Sequence, residues 1–311
     1  MSTATQPLVV PRHGFIAVAR DYSELTKLRV TTLIVMTAWC GYYFGALKSG
    51  VSSLSWGLFH TLLGIALISG GTAALNEVVE RDTDGDMRRT AQRPLPAGRM
   101  TLLHAILVGS VMTIGGALYL GLALNPLTGF LSLATSAVYL AAYTPLKKIH
   151  PICTFVGAFP GAMPGVLGWT AARGRLDWGA LVMFAVVFFW QFPHFFSIAW
   201  LYREDYQAGR IRMLPVVESN GKSTALRITL YSIALIPISL APSFLGMSGK
   251  IYLVGALLMG LALLYFGVRL ATLQLPLSAA RSKQRARHLL RATVFYLPLL
   301  FALMMINTVS S

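Results

Sequence analysis

The stretch NEVVERDTDGDMRRTAQRP, from Asn76 to Pro94, decides how this chain is read. The protein has 11 acidic side chains, and Glu77, Glu80, Asp82, Asp84 and Asp86 all fall in this one segment. Arg88, Arg89 and Arg93 follow at once. Like charges packed so closely repel, so the segment needs a positive partner to be worth keeping.

Its surroundings are apolar. Of the 311 residues, 55% are hydrophobic and only 12% charged, against about 25% charged in a soluble domain. Nine long apolar runs follow one another at 30–47, 54–78, 102–124, 126–144, 151–171, 178–200, 225–247, 250–271 and 290–308. A run of roughly 18 or more residues reads as a membrane span. The runs are continuous, which excludes the short alternating strands of a membrane barrel. The expected fold is therefore an all-α integral membrane protein of about nine transmembrane helices. Residues 1–28 form an N-terminal segment and 29–309 a single transmembrane domain. Cys40 and Cys153 both lie in predicted spans and read as small apolar packers.

The net charge of +15 does not indicate a nucleic-acid partner. With the N-terminus placed in the cytoplasm, all but Lys48, Arg173, Arg175 and Lys250 of the 26 Lys and Arg fall on the inner side. That asymmetry is the positive-inside signature of a multi-pass protein. Residues 1–29 lack the apolar stretch of a secretory signal. The expected location is a bacterial cytoplasmic (inner) membrane, with the acidic stretch facing the cytoplasm.

If the second span continues as a helix past Ala74, Asn76, Glu80 and Asp84 stack along one face at i, i+4 and i+8, and Gly85 offers a stop. Acids at a helix C-terminus oppose the macrodipole, which a bound cation would reverse. Carboxylate and amide oxygens suit Mg²⁺, which keeps positions open for substrate phosphates. An EF-hand is excluded, because its sixth and twelfth positions would be Met87 and Arg93. An ion pathway would want acids in mid-span. A plain solvated loop is the bland alternative. Glu204 and Asp205 form the only other acidic pair away from this stretch, four spans later on the same side.

The spacing Asn76-x-x-x-Glu80-x-x-x-Asp84-x-x-Met87-x-Arg89-Thr90-x-x-Arg93-Pro94 resembles the first signature of the UbiA superfamily of intramembrane prenyltransferases, with Glu80 where many members have Asp. Two further stretches, Tyr143–Trp169 (YTPLKKIHPICTFVGAFPGAMPGVLGW) and Trp190–Val217 (WQFPHFFSIAWLYREDYQAGRIRMLPVV), resemble the branch of that superfamily whose acceptor is haem. The likeness runs from about residue 20 to 305. Leu28 and Gly165 stand where that branch often has Pro.

The resemblance implies a fold of nine helices around a central cavity, capped by two acid-bearing loops. It implies transfer of a farnesyl group from farnesyl diphosphate to a vinyl group of haem B, dependent on Mg²⁺. By that likeness Asn76, Glu80, Asp84 and Asp205 hold the metal and are catalytic, while Arg89, Arg93, Lys147 and Arg210 meet the diphosphate. His194, Gln191 and Trp190 are candidates for contact with haem. Aromatic residues Trp39, Tyr42, Tyr43, Phe44, Phe159, Phe184, Phe188 and Phe189 could line a hydrocarbon channel or simply pack. His60 and His104 read as structural. The expected partners are the two substrates, the lipid bilayer, and a haem A synthase or haem-copper oxidase assembly factors. Other readings are a quinone-precursor or tetrapyrrole prenyltransferase, a transporter, and an oxidase assembly factor that binds haem without reacting.

Overall fold

The computed structural model describes residues 14–273 and 275–309. Arg12 and His13, with the rest of the first thirteen residues of the N-terminal segment, lie outside it. The described residues are helical, with a single isolated bridge between Ser248 and Thr308. In chain order the helices are α1 (Phe15–Leu25), α2 (Leu28–Lys48), α3 (Trp56–Asp86), α4 (Leu102–Ala123), α5 (Pro126–Ala137), α6 (Thr144–Leu146), α7 (Cys153–Arg173), α8 (Trp178–Leu201), α9 (Arg203–Ala208), α10 (Leu214–Val217), α11 (Lys222–Phe244), α12 (Lys250–Ala271) and α13 (Ala280–Ile306). A π-helical turn, Val138–Tyr143, joins α5 to α6 into one rod.

Eight of these units are long and apolar enough to cross a membrane. The ninth expected span is α7, whose 21 residues include Pro160 and Pro164. Proline and glycine dilute its hydropathy without shortening it. The outward surface is apolar: Leu103, Val111, Leu122, Phe130, Ile251 and Phe295 are all exposed. This is the surface of a multi-pass membrane protein.

The close turn expected at Asn125-Pro126 is present. Asn125 caps α5, its side chain accepting from the Thr128 N–H, and Pro126 occupies the first turn, where its missing N–H costs nothing. The helix ends follow similar rules: Ser55 and Thr101 cap α3 and α4 through their hydroxyls.

Small residues set the closest packing. The Gly168 Cα of α7 lies against the Ala38 carbonyl of α2, so closely that a methyl group there would overlap it. A Cβ at Gly71 of α3 would come 2.6 Å from the Thr113 N of α4. Within a bilayer, where helices gain little from hiding apolar surface, such close backbone approach is a main source of association.

The length of α3 positions the acidic stretch. About 20 residues suffice to cross the hydrocarbon, and α3 has 31. The surplus, at about 1.5 Å per residue, carries the segment from Asn76 onward beyond the apolar layer. The helix runs through Gly85 to Asp86, so Gly85 is not the stop the sequence suggested; the turn comes at Met87, with φ −103° and ψ 125°.

Candidate functional site

The 3.6-residue period divides the acidic stretch into two faces. Asn76, Glu77, Glu80, Thr83, Asp84 and Met87 are buried, while Asp82 and Asp86 are exposed. Asn76, Glu80 and Asp84 form the expected ridge, and each meets a cation. Lys27 Nζ donates to Asn76 Oδ1 at 2.6 Å, Lys147 Nζ to Glu80 Oε1 at 2.8 Å, and Arg93 Nη1 to Asp84 Oδ2 at 2.6 Å. Each residue of the ridge thus faces a positively charged side chain.

Three elements supply these cations. Lys27 sits at the joint of α1 and α2 in the left-handed region, φ 47° and ψ 50°, a conformation that costs a non-glycine residue energy. Lys147 follows the rod ending at Leu146, and its ammonium also lies 4.5 Å from the centroid of the Tyr143 ring. Asn76 Nδ2 donates to Thr144 Oγ1, which in turn donates to the Tyr139 carbonyl within the π-helical turn. The wide turn therefore has one of its carbonyls satisfied by a residue that also orients Asn76. Arg93 lies on the segment after α3, which folds back: Thr90 Oγ1 donates to the Asp84 carbonyl, and the Leu95 N–H donates to Glu77 Oε1 at 3.1 Å. Glu77 Oε2 is buried with no hydrogen-bond partner.

α1 closes one flank. Arg99 reaches Asp21 Oδ1 and Glu24 Oε2, both at 2.8 Å, and the Gln92 carbonyl. His104 and Tyr22 hydrogen-bond beside this contact, and His60 does so with Tyr119, which fits the structural reading of both histidines.

The second acidic loop is placed differently. Asp205 Oδ1 accepts from Arg88 Nε at 3.2 Å, which brings α9 to the end of α3. Glu204 pairs with Lys283 of α13, and that ammonium lowers its carboxyl pKa. Arg89 has aromatic neighbours instead of an acid, with its guanidinium 4.6 Å from the Tyr206 ring centroid and 5.4 Å from that of Tyr202. Arg210 is exposed, in the left-handed region with φ 56°. The neighbouring Arg212 N–H donates to the Lys147 carbonyl, tying this loop to the Lys147 end of the rod. Lys148 is exposed, as an anchor would be.

The three expected haem contacts all lie on α8, and their partners divide between α7 and α13. Gln191 is buried and donates to the Ala158 carbonyl of α7. Trp190 Nε1 donates to the Thr293 carbonyl of α13, and His194 Nδ1 pairs with Thr293 Oγ1 at 2.9 Å. Of the aromatic residues proposed for a channel, Phe159, Phe184, Phe188 and Phe189 form one contiguous set. Tyr42 is buried and bonded to Ser55.

The ridge offers amide and carboxylate oxygens, the donor set of a hard divalent cation. Among the described residues no three His, Cys, Asp or Glu side chains gather as a ligand group. One oxygen of each ridge residue is held by an ammonium or guanidinium, positive charge that an arriving ion would replace. Such a site suits an ion that takes few protein ligands and completes its shell from phosphate oxygens and water. Sequence reasoning missed Lys27 and Thr293; nothing in their local patterns marks them, because each acts on a side chain far away in the chain.

Fold and site together define a membrane-embedded helical protein with a buried ridge of amide and carboxylate groups, paired with cations, at one end of its spans. The chain belongs to the UbiA prenyltransferase family, which it matches over residues 34–307. It is 62% identical over 307 residues, covering 99% of both chains, to a protein of Koribacter versatilis named Protoheme IX farnesyltransferase. Among solved structures, a digeranylgeranylglyceryl phosphate synthase superposes with a TM-score of 0.75 at 15% identity, covering 93% of this chain and 98% of that one. A UbiA homolog from Archaeoglobus fulgidus bound to GPP and Mg²⁺ superposes with a TM-score of 0.64 at 16% identity, covering 91% and 99%. The fold is therefore that of the family.

Proposed function

We propose that this protein transfers the farnesyl group of farnesyl diphosphate to a vinyl group of haem B. Water completes the hydroxyethylfarnesyl side chain of haem O, and diphosphate leaves. The observation that carries the acceptor is the 62% identity, over 99% of both chains, with a protein named Protoheme IX farnesyltransferase. The diphosphate chemistry is supported by the ridge and its three cations.

Asn76, Glu80 and Asp84 would hold Mg²⁺, with Asp205 contributing from the second loop. Held there, the ion would neutralise the diphosphate and stabilise it as a leaving group. Lys147 and Arg93, already aimed at this ridge, turn to the diphosphate oxygens when the acids are engaged. Once turned, their guanidinium and ammonium groups stabilise the charge that develops on the departing diphosphate. Arg89, stacked on Tyr202 and Tyr206, and Arg210 complete the rim. The dry apolar interior protects the allylic cation from premature capture by water. The site faces the cytoplasm of a bacterial inner membrane, and residues 29–309 act as one transmembrane unit. A haem A synthase or an oxidase assembly factor is the fitting recipient of the product.

The test uses purified protein with haem B and farnesyl diphosphate, in Mg²⁺ or EDTA, with porphyrins resolved by mass. A Mg²⁺-dependent haem O mass supports the proposal. Farnesylation of a quinone precursor with haem B untouched would overturn the acceptor.

A further inference from the structure

His194 lies on α8 within a membrane span, and it and Trp190 are both tied to Thr293 of α13. Thr293 is fully buried. Its hydroxyl has one proton to give. Oγ1 lies 2.7 Å from the Leu290 carbonyl oxygen, a group that can only accept, so the proton points there. Toward His194 Nδ1, 2.9 Å away, Oγ1 can then act only as acceptor. The proton of the neutral imidazole must therefore sit on Nδ1, which leaves the lone pair on Nε2.

The ring is also fixed in orientation. Trp190 stacks on it, with centroids 4.7 Å apart and planes inclined by 19°. The indole is anchored in turn, since Nε1 donates to the Thr293 carbonyl at 2.8 Å. Thr293 thus grips the imidazole edge through its side chain and the stacked indole through its backbone. Nε2 has no hydrogen-bond partner, and it is not among the side-chain atoms sealed in the packing without one. An imidazole held by Nδ1–H with Nε2 free is the arrangement of a metal-binding histidine, whose second partner sets tautomer and ring angle.

We propose that Thr293 is the positioning residue for His194, and that it directs the Nε2 lone pair at the iron of the tetrapyrrole acceptor. This rests on the haem-farnesylating reading above. The His194–Thr293–Trp190 triad holds the acceptor by its metal, while the ridge handles the donor. The two halves of the reaction then depend on separate residues.

The test is spectroscopic. Full-length protein in detergent is titrated with haem B, and its absorbance and the ferrous iron–histidine Raman band are recorded. Farnesyl transfer is measured on the same samples. In the wild type the haem shows histidine ligation. His194→Ala loses that signature and added imidazole restores it. Thr293→Val keeps bound haem but shifts the iron–histidine band to lower frequency and weakens haem binding, by about 10- to 100-fold, the usual effect of losing such a partner. Thr293→Ser, which keeps the hydroxyl, restores band and affinity. The KM for farnesyl diphosphate stays at the wild-type value in Thr293→Val while that for haem rises. A His194→Ala spectrum identical to wild type, or a Thr293→Val band at the wild-type position, would overturn the proposal. If haem O is still formed in either case, the reaction assigned above stands and only the ligation falls. If wild-type protein neither binds nor farnesylates haem, both fall.

Discussion

Lys27 Nζ and Asn76 Oδ1 lie 2.6 Å apart, although 49 positions separate them in the chain. The contact joins the α1–α2 bend to the first residue of the acidic ridge. It also makes the bend and the ridge interdependent, because Lys27 holds a left-handed backbone while its ammonium is spent on Asn76.

That contact has a pH signature. Burial, reinforced by repulsion from Arg93, lowers the Lys27 pKa from 10.5 to about 8. The folded value lies below the unfolded one, so between them the unfolded chain carries more protons and stability rises with pH. The melting temperature of the ligand-free protein is expected to climb between pH 8 and 10, at about 2–4 °C for each kcal/mol gained. Lys27→Met should flatten that climb. A wild-type melting temperature that does not rise over this range would contradict the burial.

The two faces of the acidic stretch should separate in function. Asp84→Asn and Glu80→Gln remove buried ridge charges and are expected to lower kcat/KM for farnesyl transfer by about 100- to 1,000-fold, the scale of losing one preorganised electrostatic group. Asp82→Asn and Asp86→Asn, on the exposed face, should stay within about twofold. Steady-state rates at saturating Mg²⁺ decide it, and equal losses on both faces would count against the ridge.

Glu77 anchors the loop that carries Arg93. Glu77→Gln keeps an acceptor for the Leu95 N–H, so the loop should stay anchored. Glu77→Leu strands that buried N–H, at about 1–3 kcal/mol. Hydrogen exchange at Leu95 should rise in the leucine variant alone.

Packing glycines offer a paired test. Gly168→Ala drives a methyl group into the Ala38 carbonyl and should cost about 1–3 kcal/mol. Gly115→Ala meets nothing within 4 Å and should stabilise α4 by about 0.5–1 kcal/mol. Thermal melts in one detergent compare them directly.

Much of this was legible in the sequence because two periods carry it. Apolar runs longer than a bilayer is thick announced the spans, and α7 was found by length although Pro160 and Pro164 thin its hydropathy. The i, i+4, i+8 spacing announced the ridge. What stayed hidden depends on distant partners. No local pattern tells that Lys27 reaches Asn76, that Arg93 turns back to Asp84, or that Thr293 fixes His194. Asp205 was read as a metal residue of the second loop, and its Arg88 partner belongs to the first. The π-helical turn was equally silent, since Val138–Tyr143 is ordinary helix-compatible sequence.

That turn has a consequence for how the chain can change. A wide turn takes up one residue that a regular helix would have to place elsewhere, and one residue is worth about 100° of rotation. It sets the phase of the rod, so that Pro126 at one end and Lys147 at the other both meet their neighbours. Inserting one further residue between Val138 and Tyr143, where the wide turn is already filled, would leave a helix that still spans the bilayer, yet swing Lys147 about 100° away from Glu80. Gain of one apolar residue would thus silence the charged end while leaving the membrane segment whole.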